Sequence, residues 1–445
     1  MAYNAIVTRL KNVRAHSNAD KVQLATCHGN QVVVGLDTKE GDWGVYFNCD
    51  LQLSDEFCKA NNLYRDATKN VDPQAKPGMF DDNRRVRAQK FRGEISDGFW
   101  VPLHYFGFIS VKGLDVEGFE FDTWNGVPIC NKYVNIATLK AAKENQPKQK
   151  KKAKSSVMFV EHIDTKHMVV NIDKIEEDDL VIISSKQHGT SGRVGYVLVD
   201  RVLTWVEKIA QWFGVKVQEK TWSFLNGTRR VVIEESTGSQ FHDPTIRDKA
   251  FNMFKDNLRK GESVYFEIVG FEPSGKAIMG IVDTTKLNDK AFTKQFANVG
   301  DGKSMVYRYG CADDTCDVYV YRITMTNEDG HSIDYSWDDV KRRCRELGVK
   351  HSPELDRFTV KEFKLRHGIT DDRDFQEKFM EYITKISDGA DPTDPSHWSE
   401  GTCIRLESGL AVRIYKHKNF NFKVLEGIVK DSGVVDMEEM ESESI

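Results

Sequence analysis

Long hydrophobic runs are missing from this chain of 445 residues. No apolar stretch approaches the roughly 20 residues that a membrane helix needs, so no membrane-spanning role is expected. Met1–Leu10 lacks the basic-then-apolar pattern of a secretory leader, which points to a cytoplasmic protein. Paired cysteines are missing too. The eight cysteines are scattered, and Cys311 and Cys316 have no second pair at zinc spacing. A disulfide framework or a zinc site is therefore not expected. The chain also lacks an excess of positive charge. Lysine and arginine number 63 against 68 aspartates and glutamates, a formal net charge of −5. A simple polycation that coats nucleic acid is excluded.

What is present suits a globular protein with a proper core. Hydrophobic residues make up 40% of the chain and charged residues 29%. The length suggests two or three domains. Charge is concentrated in two blocks. Lys140–Ser156 holds seven lysines and one glutamate, and Asp431–Ile445 holds six acidic residues and no basic ones. Such blocks are expected to be solvated, the first as a lysine-rich linker or frayed helix over 138–156, the second as an acidic tail over 431–445.

Residues 1–137 read as a β-rich module. Apolar strands are expected at Ala5–Leu10, Val22–Thr26, Gln31–Leu36, Gly44–Phe47, Arg85–Gln89 and Gly98–Pro102. Short strands at this density fit a small closed barrel such as an OB-fold. Arg85, Arg87, Lys90 and Arg92 interleave with Phe91, as a surface that tracks a backbone and stacks bases would. The same alternation also fits the plain outer face of a strand.

Residues 157–430 form a second unit of strands and a few helices, so the fold class is α+β with mostly antiparallel sheets. Arg201–Phe213 carries Val202, Val206, Ile209 and Phe213 on one face, an apolar stripe expected to face the core. Ser336 caps a helix that stops at Gly348. Arg373–Ile386 has Phe375, Phe379, Tyr382 and Ile383 at helical spacing.

The second unit holds the chemistry. Two apolar runs, Leu180–Ile183 and Val194–Val199, flank Ser184–Ser191, which reads as strand, loop, strand around Lys186. A lysine against an apolar wall has its ammonium form disfavoured and can act as a nucleophile. Gly189 would let backbone approach a ligand, and Thr190 and Ser191 could reach a phosphate. Further along, Glu267 sits mid-strand, Tyr319 and Tyr321 alternate on a strand, Glu400 and Arg405 open another, and Lys416 and Lys418 share a strand face. Lysines and arginine imply a polyphosphate, glutamates a divalent metal or ribose hydroxyls, and an aromatic a stacked base.

The order K-x-H-G at Lys186, x-E-I-V-G at Glu267, E-G-x-x-I-R at Glu400 and K-x-K at Lys416 resembles motifs of the covalent nucleotidyltransferases. K-x-H-G, G-T-R-R at Arg229 and Y-R-I-T at Tyr321 resemble RNA ligases in particular. With a β-module placed first, the chain resembles the Deinococcus-type RNA ligases. The resemblance implies an ATP-dependent RNA ligase that joins 5′-phosphate and 3′-hydroxyl ends of nicked or broken RNA as a monomer. Lys186 would hold AMP covalently, with His188 and Gly189 completing its motif. Arg229 and Arg405 would contact the nucleotide, Glu267 the ribose, Tyr321 rather than Tyr319 the adenine, and Glu400 a Mg²⁺ or Mn²⁺ ion. Lys416 and Lys418 would neutralise the α-phosphate. Ser185 stands where related ligases often have an acid. All of these residues lie after 180, so the first module is expected to grip RNA rather than to serve adenylylation. Two rival readings are a capping-type guanylyltransferase and a non-catalytic OB-fold RNA-binding protein. The first predicts a C-terminal OB domain, and the second predicts loss of the charged motif residues.

Overall fold

The computed structural model describes residues 3–144, 158–162, 165–229, 231–233 and 242–433. Most of the lysine-rich linker and of the acidic tail lies outside the described residues. The described part of the linker continues helix Ile136–Glu144. No helix among the described residues is long and apolar enough to cross a membrane.

All six expected strands of the first unit are present, with the Arg85–Gln89 strand displaced to Ala88–Phe91. Five of them fall in two small sheets, and Ala88–Phe91 pairs with Glu94–Asp97 as a separate hairpin. Ala5–Arg9 lies between Glu120–Phe121 and Trp43–Phe47, and Phe99–Pro102 follows at the edge. Lys11–Ala15, Val22–Cys27 and Asn30–Gly35 form the second sheet. One apolar cluster joins the two sheets, with Ala25, Val32 and Val34 packed against Tyr46 and Trp100.

The second unit is built on two larger sheets. One has five strands, in the order Lys166–His167, Ala411–Lys418, Gly401–Ser408, Leu180–Ser185 and Glu354–Thr359. The other has seven, centred on Thr190–Asp200, Glu262–Gly270 and Cys316–Thr326. Most neighbours in both are antiparallel. Ile182 from one sheet and Val194, Val264 and Val320 from the other meet in a shared core. Helix Asp372–Ser387 turns Phe375, Phe379 and Ile383 into the core beneath the five-stranded sheet, as its periodicity predicts. Helix Trp337–Leu347 is capped by Ser336 and stopped by Gly348, also as expected.

The stripe on the Arg201–Phe213 segment is the exception. Its helix spans Trp205–Trp212 at the tip of the hairpin between strands Thr190–Asp200 and Lys220–Gly227. Val202, Val206, Ile209 and Phe213 are exposed by 85%, 54%, 46% and 72%. The hairpin carries the helix beyond the end of the sheet, and among the described residues no core element covers the stripe.

Helix Phe420–Asp431 joins the two units. Its Lys423 Nζ lies 2.6 Å from Asp97 of the first unit, with both groups buried. Burial works against the Lys423 ammonium, but Asp97, helped by Cys49 and Asp50, raises its pKa on balance. Lys430 reaches Asp50 at 3.5 Å. Asp431, the first residue assigned to the acidic tail, ends this helix instead and accepts from Arg85 Nε and Nη2, each at 3.0 Å. This revises the expectation for Arg85. It is buried between Asp50 and Asp431 and has no face for RNA. Arg87 is half committed in the same way, to Asp81 and Asp431. Lys90 and Arg92 stay exposed on either side of exposed Phe91.

Candidate active site

Strands Leu180–Ser185 and Thr190–Asp200 do not pair with each other. The first belongs to the five-stranded sheet and the second to the seven-stranded one. Lys186–Gly189 is therefore the crossing between two sheets and not a hairpin loop. Backbone bonds pin the crossing. Ser185 N donates to Pro353 O at 2.9 Å and Lys186 N to Gly401 O at 3.0 Å. The Lys186 side chain is thereby delivered to Glu400. Its Nζ donates to Glu400 Oε1 at 2.6 Å, with the lysine side chain 20% exposed and the glutamate 1%.

The rest of the motif faces inward. His188 N donates to Tyr309 Oη at 2.6 Å, and its ring meets Tyr307 and Phe422 edge-on with centroids 4.8 and 4.9 Å away. His188 Nδ1 lies 3.7 Å from Glu400 Oε2. A Cβ on Gly189 would stand 2.2 Å from Ile268 O, so this glycine admits a neighbouring strand and not a ligand. Thr190 is likewise used internally. Arg247 donates to its Oγ1 at 2.8 Å and to Ser191 O at 2.9 Å. Ser191 keeps a place in the site and donates to Glu267 Oε2 at 3.1 Å.

A cavity of about 1130 Å³, including its open mouth, lies over Lys186. Glu267, Tyr321, Arg229 and Arg405 line it, with Lys416 and Lys418. The structure thus brings most of the expected residues together around one space. Of the two alternating tyrosines, Tyr321 lines the cavity and Tyr319 does not. The register slips between Tyr265 and Phe266, pairing them with Arg322 and Val320, so Tyr321 is the extra residue of a bulge. Tyr319 packs away in the core behind. Burial pushes the Tyr321 hydroxyl well above its usual range, so it stays neutral.

The cavity has two chemically distinct groups of walls. One is cationic. Lys416 and Lys132 both lie over the ring of Tyr3, at 5.8 and 5.0 Å. Lys418 and Lys430 share Glu426, at 2.7 and 3.2 Å. Burial alone would lower the pKa of Lys418, but Glu426 and Glu400 outweigh it and hold the ammonium above its ordinary value. The other group is neutral and partly apolar: Ile182, Ser184, Gln187, Trp337 and Ser352. Arg405 stands among them with most of its fork spent, Nε on Glu407 at 2.6 Å and Nη2 on the Tyr335 carbonyl. Its buried Nη1 has no hydrogen-bond partner.

Several lining residues were not picked out in the sequence. Tyr3 and Lys132 come from the first unit, Lys430 from the joining helix, and His162 from the segment before the first sheet. His162 N donates to Arg229 O at 3.0 Å, and its ring stands edge-on to Tyr321 at 5.3 Å. None of these residues sits in a motif, so no local pattern marks them.

Among the described residues no group of three histidine, cysteine or acidic side chains could hold a metal ion. A metal here would need a ligand that brings its own oxygens. Glu400 does not itself line the cavity, but it holds Lys186, which does, and its buried Oε2 accepts no hydrogen bond, which leaves it the carboxylate such a metal could take. Mg²⁺ is commonly held by one or two carboxylates plus substrate phosphates and water.

Comparison with known proteins agrees with this architecture. A family model described as an OB-fold domain matches residues 4–103. No curated protein matches the sequence. Among solved structures, a Naegleria gruberi RNA ligase mutant in its apo form aligns with a TM-score of 0.55 at 15% identity, over 95% of this chain and 98% of that one. A lysine-to-alanine mutant of the same ligase, solved with ATP and Mn, gives 0.54 at 15% identity, over 94% and 98%. A lysine-to-methionine mutant with AMP and Mn gives 0.54 at 15%, over 94% and 97%. The chain is therefore α+β, with an N-terminal OB-fold followed by the sheets and helices of an RNA ligase fold.

Proposed function

We propose that this protein is an ATP-dependent RNA ligase of the Deinococcus type, working through a lysine–AMP intermediate. The observation that carries the reading is Lys186 held on Glu400 at the floor of a cavity with a cationic wall. The fold shared with the Naegleria gruberi enzyme, solved with ATP and Mn and with AMP and Mn, supports it. Residues 1–137 would be the OB-fold domain, and 157–430 the nucleotidyltransferase domain.

ATP would lie with its base against Tyr321 and its ribose near Glu267. Its phosphates would lie toward the walls that match their charge, with Lys416 and Lys418 neutralising the α-phosphate and Lys132 and Lys430 beside them. Attack on the α-phosphate requires a neutral amine, so Lys186 would have to give up the proton it now donates to Glu400. A bound Mg²⁺ or Mn²⁺ would be held by Glu400 and would supply charge neutralisation at the α-phosphate. Lys186 then carries AMP, and pyrophosphate leaves. A 5′-phosphate RNA end takes the AMP from Lys186, and a 3′-hydroxyl displaces it to seal the strand. Lys90, Phe91 and Arg92 are the exposed residues of the OB-fold best suited to the RNA.

The test is incubation of the full chain with ATP labelled at its α-phosphate and Mg²⁺ or Mn²⁺, followed by denaturing electrophoresis. Label on the protein, passed on to a nicked RNA, is the expected result. A folded protein that takes no label ends the proposal. Glu400→Gln keeps the size of the side chain but removes its charge. It should slow adenylylation at least about tenfold and raise the metal concentration needed for half-maximal rate. A variant that adenylylates at the wild-type rate across a full metal titration would show that Glu400 holds no metal.

A further inference from the structure

The crossing from Lys186 to Gly189 is supported from behind by a segment that lies outside every motif. His188 N donates to Tyr309 Oη at 2.6 Å, and the His188 ring stands edge-on to Tyr307 at 4.8 Å. Both tyrosines are buried. Burial pushes the Tyr309 hydroxyl well above its usual range, so it stays neutral while it accepts from the amide. Tyr309 is itself held. Its N donates to His397 Nε2 at 3.3 Å, its ring meets the His397 ring at 4.5 Å, and Gly310 N donates to Asp394 Oδ2 at 2.8 Å.

Two features of Tyr309 exceed what packing needs. The first is its backbone. Its φ is 52°, in the left-handed region that a bulky side chain enters only at a cost. Such strain persists where the surrounding contacts over-determine it. Here they aim a hydroxyl at a main-chain N–H two residues beyond the nucleophile. The second feature is the loop that holds it. The loop with Asp391, Asp394 and His397 runs directly into Glu400, the partner of Lys186. Asp391 also accepts from Ser185 Oγ at 3.4 Å, just before the lysine. One support therefore reaches the chain on both sides of Lys186 and the carboxylate that faces it. Placement at this level matters, because a shift of about 1 Å at a reacting group can cost about a hundredfold in rate.

We propose that Tyr309 is a positioning residue for adenylylation: its hydroxyl fixes the crossing at His188 and so holds the Lys186 amine in line with the α-phosphate. This assignment rests on the adenylylation reading above and adds to it a residue that does not line the cavity. Tyr309 bears on one step more than on the others. Attack by Lys186 on ATP needs the amine in place. The closing step joins a 3′-hydroxyl to an RNA end that already carries AMP, and the Lys186 amine is not its nucleophile. Loss of the hydroxyl therefore burdens the first step more than the last.

Tyr309→Phe removes the hydroxyl and keeps the ring. The experiment measures label transfer from α-labelled ATP to the full chain against ATP concentration, and closure of a nicked RNA duplex whose 5′ end already carries AMP. The maximal rate of labelling should fall about tenfold, with KM for ATP within about twofold of the wild type. Closure of the pre-adenylylated nick should fall far less, by about twofold. His397→Leu removes the acceptor for Tyr309 N. It should slow labelling in the same way by about threefold, and it carries the test if the phenylalanine variant fails to fold. Labelling at the wild-type rate would overturn the assignment. So would a raised KM at unchanged maximal rate, which would place Tyr309 on nucleotide binding. Equal losses in labelling and in closure would also overturn it, since Tyr309 would then support the cavity as a whole. In each of these cases wild-type labelling still stands. A wild type that takes no label from ATP overturns the proposed function and this assignment with it.

Discussion

Lys186→Ala is expected to abolish covalent capture of AMP, with label falling below detection on a denaturing gel. Among the described residues, Lys186 is the lysine seen on Glu400, placed there by the crossing between the two sheets. Lys416 and Lys418 sit on a different strand, and Lys418 is tied to Glu426. Alanine also leaves a deeply buried carboxylate without its cation, so the loss of label needs a control for folding. Lys186→Arg supplies it. Arginine keeps a positive charge beside Glu400 but does not release a proton to become a nucleophile. It should melt close to the wild type and still take no label. Label retained by either variant would remove Lys186 from its role.

Asp97→Ala is expected to destabilise the chain by about 3–5 kcal/mol, the usual cost of removing one partner of a buried ion pair. The carboxylate lies in the OB-fold and the ammonium of Lys423 in the joining helix, 2.6 Å away. Urea or thermal unfolding of the full chain reads the effect, and a loss under about 1 kcal/mol would show that solvent reaches Lys423. The same geometry reverses the expectation that the OB-fold serves RNA alone. Without residues 1–144, Lys423 and Lys430 lose Asp97 and Asp50, and the cavity loses Tyr3 and Lys132. A fragment beginning near Ser156 should therefore fail to adenylylate, and a folded fragment that labels normally would refute this.

Motif order was legible in the sequence because each motif is a short contiguous run on or directly beside one strand, where residue type survives without knowledge of the partner strand. Lys186, Glu267, Tyr321 and Glu400 could be read in this way. The crossing between sheets could not. Two apolar runs around a polar loop look the same whether the strands pair with each other or belong to different sheets. Helix Trp205–Trp212 failed for a related reason. Its apolar stripe has the same period covered or bare, and only the hairpin that carries it decides which. Arg85 looked like a surface cation because its neutralising partner, Asp431, lies 346 residues away. Tyr3, Lys132 and His162 belong to the site only through tertiary placement, so no spacing could reveal them.

The joining helix also sets when the cavity can exist during synthesis. The Asp97–Lys423 contact spans 326 residues of chain. The OB-fold has its own core and can collapse while later strands are still on the ribosome. The cavity cannot, because Lys418, Glu426 and Lys430 must be translated before its cationic wall is complete. Until then Asp97 and Asp50 lack their lysines, and the surface that will receive the helix is open to water. A nascent chain therefore has a folded first part well before it has a complete cavity. The cavity is then completed last, after the two parts of the chain have been fastened together.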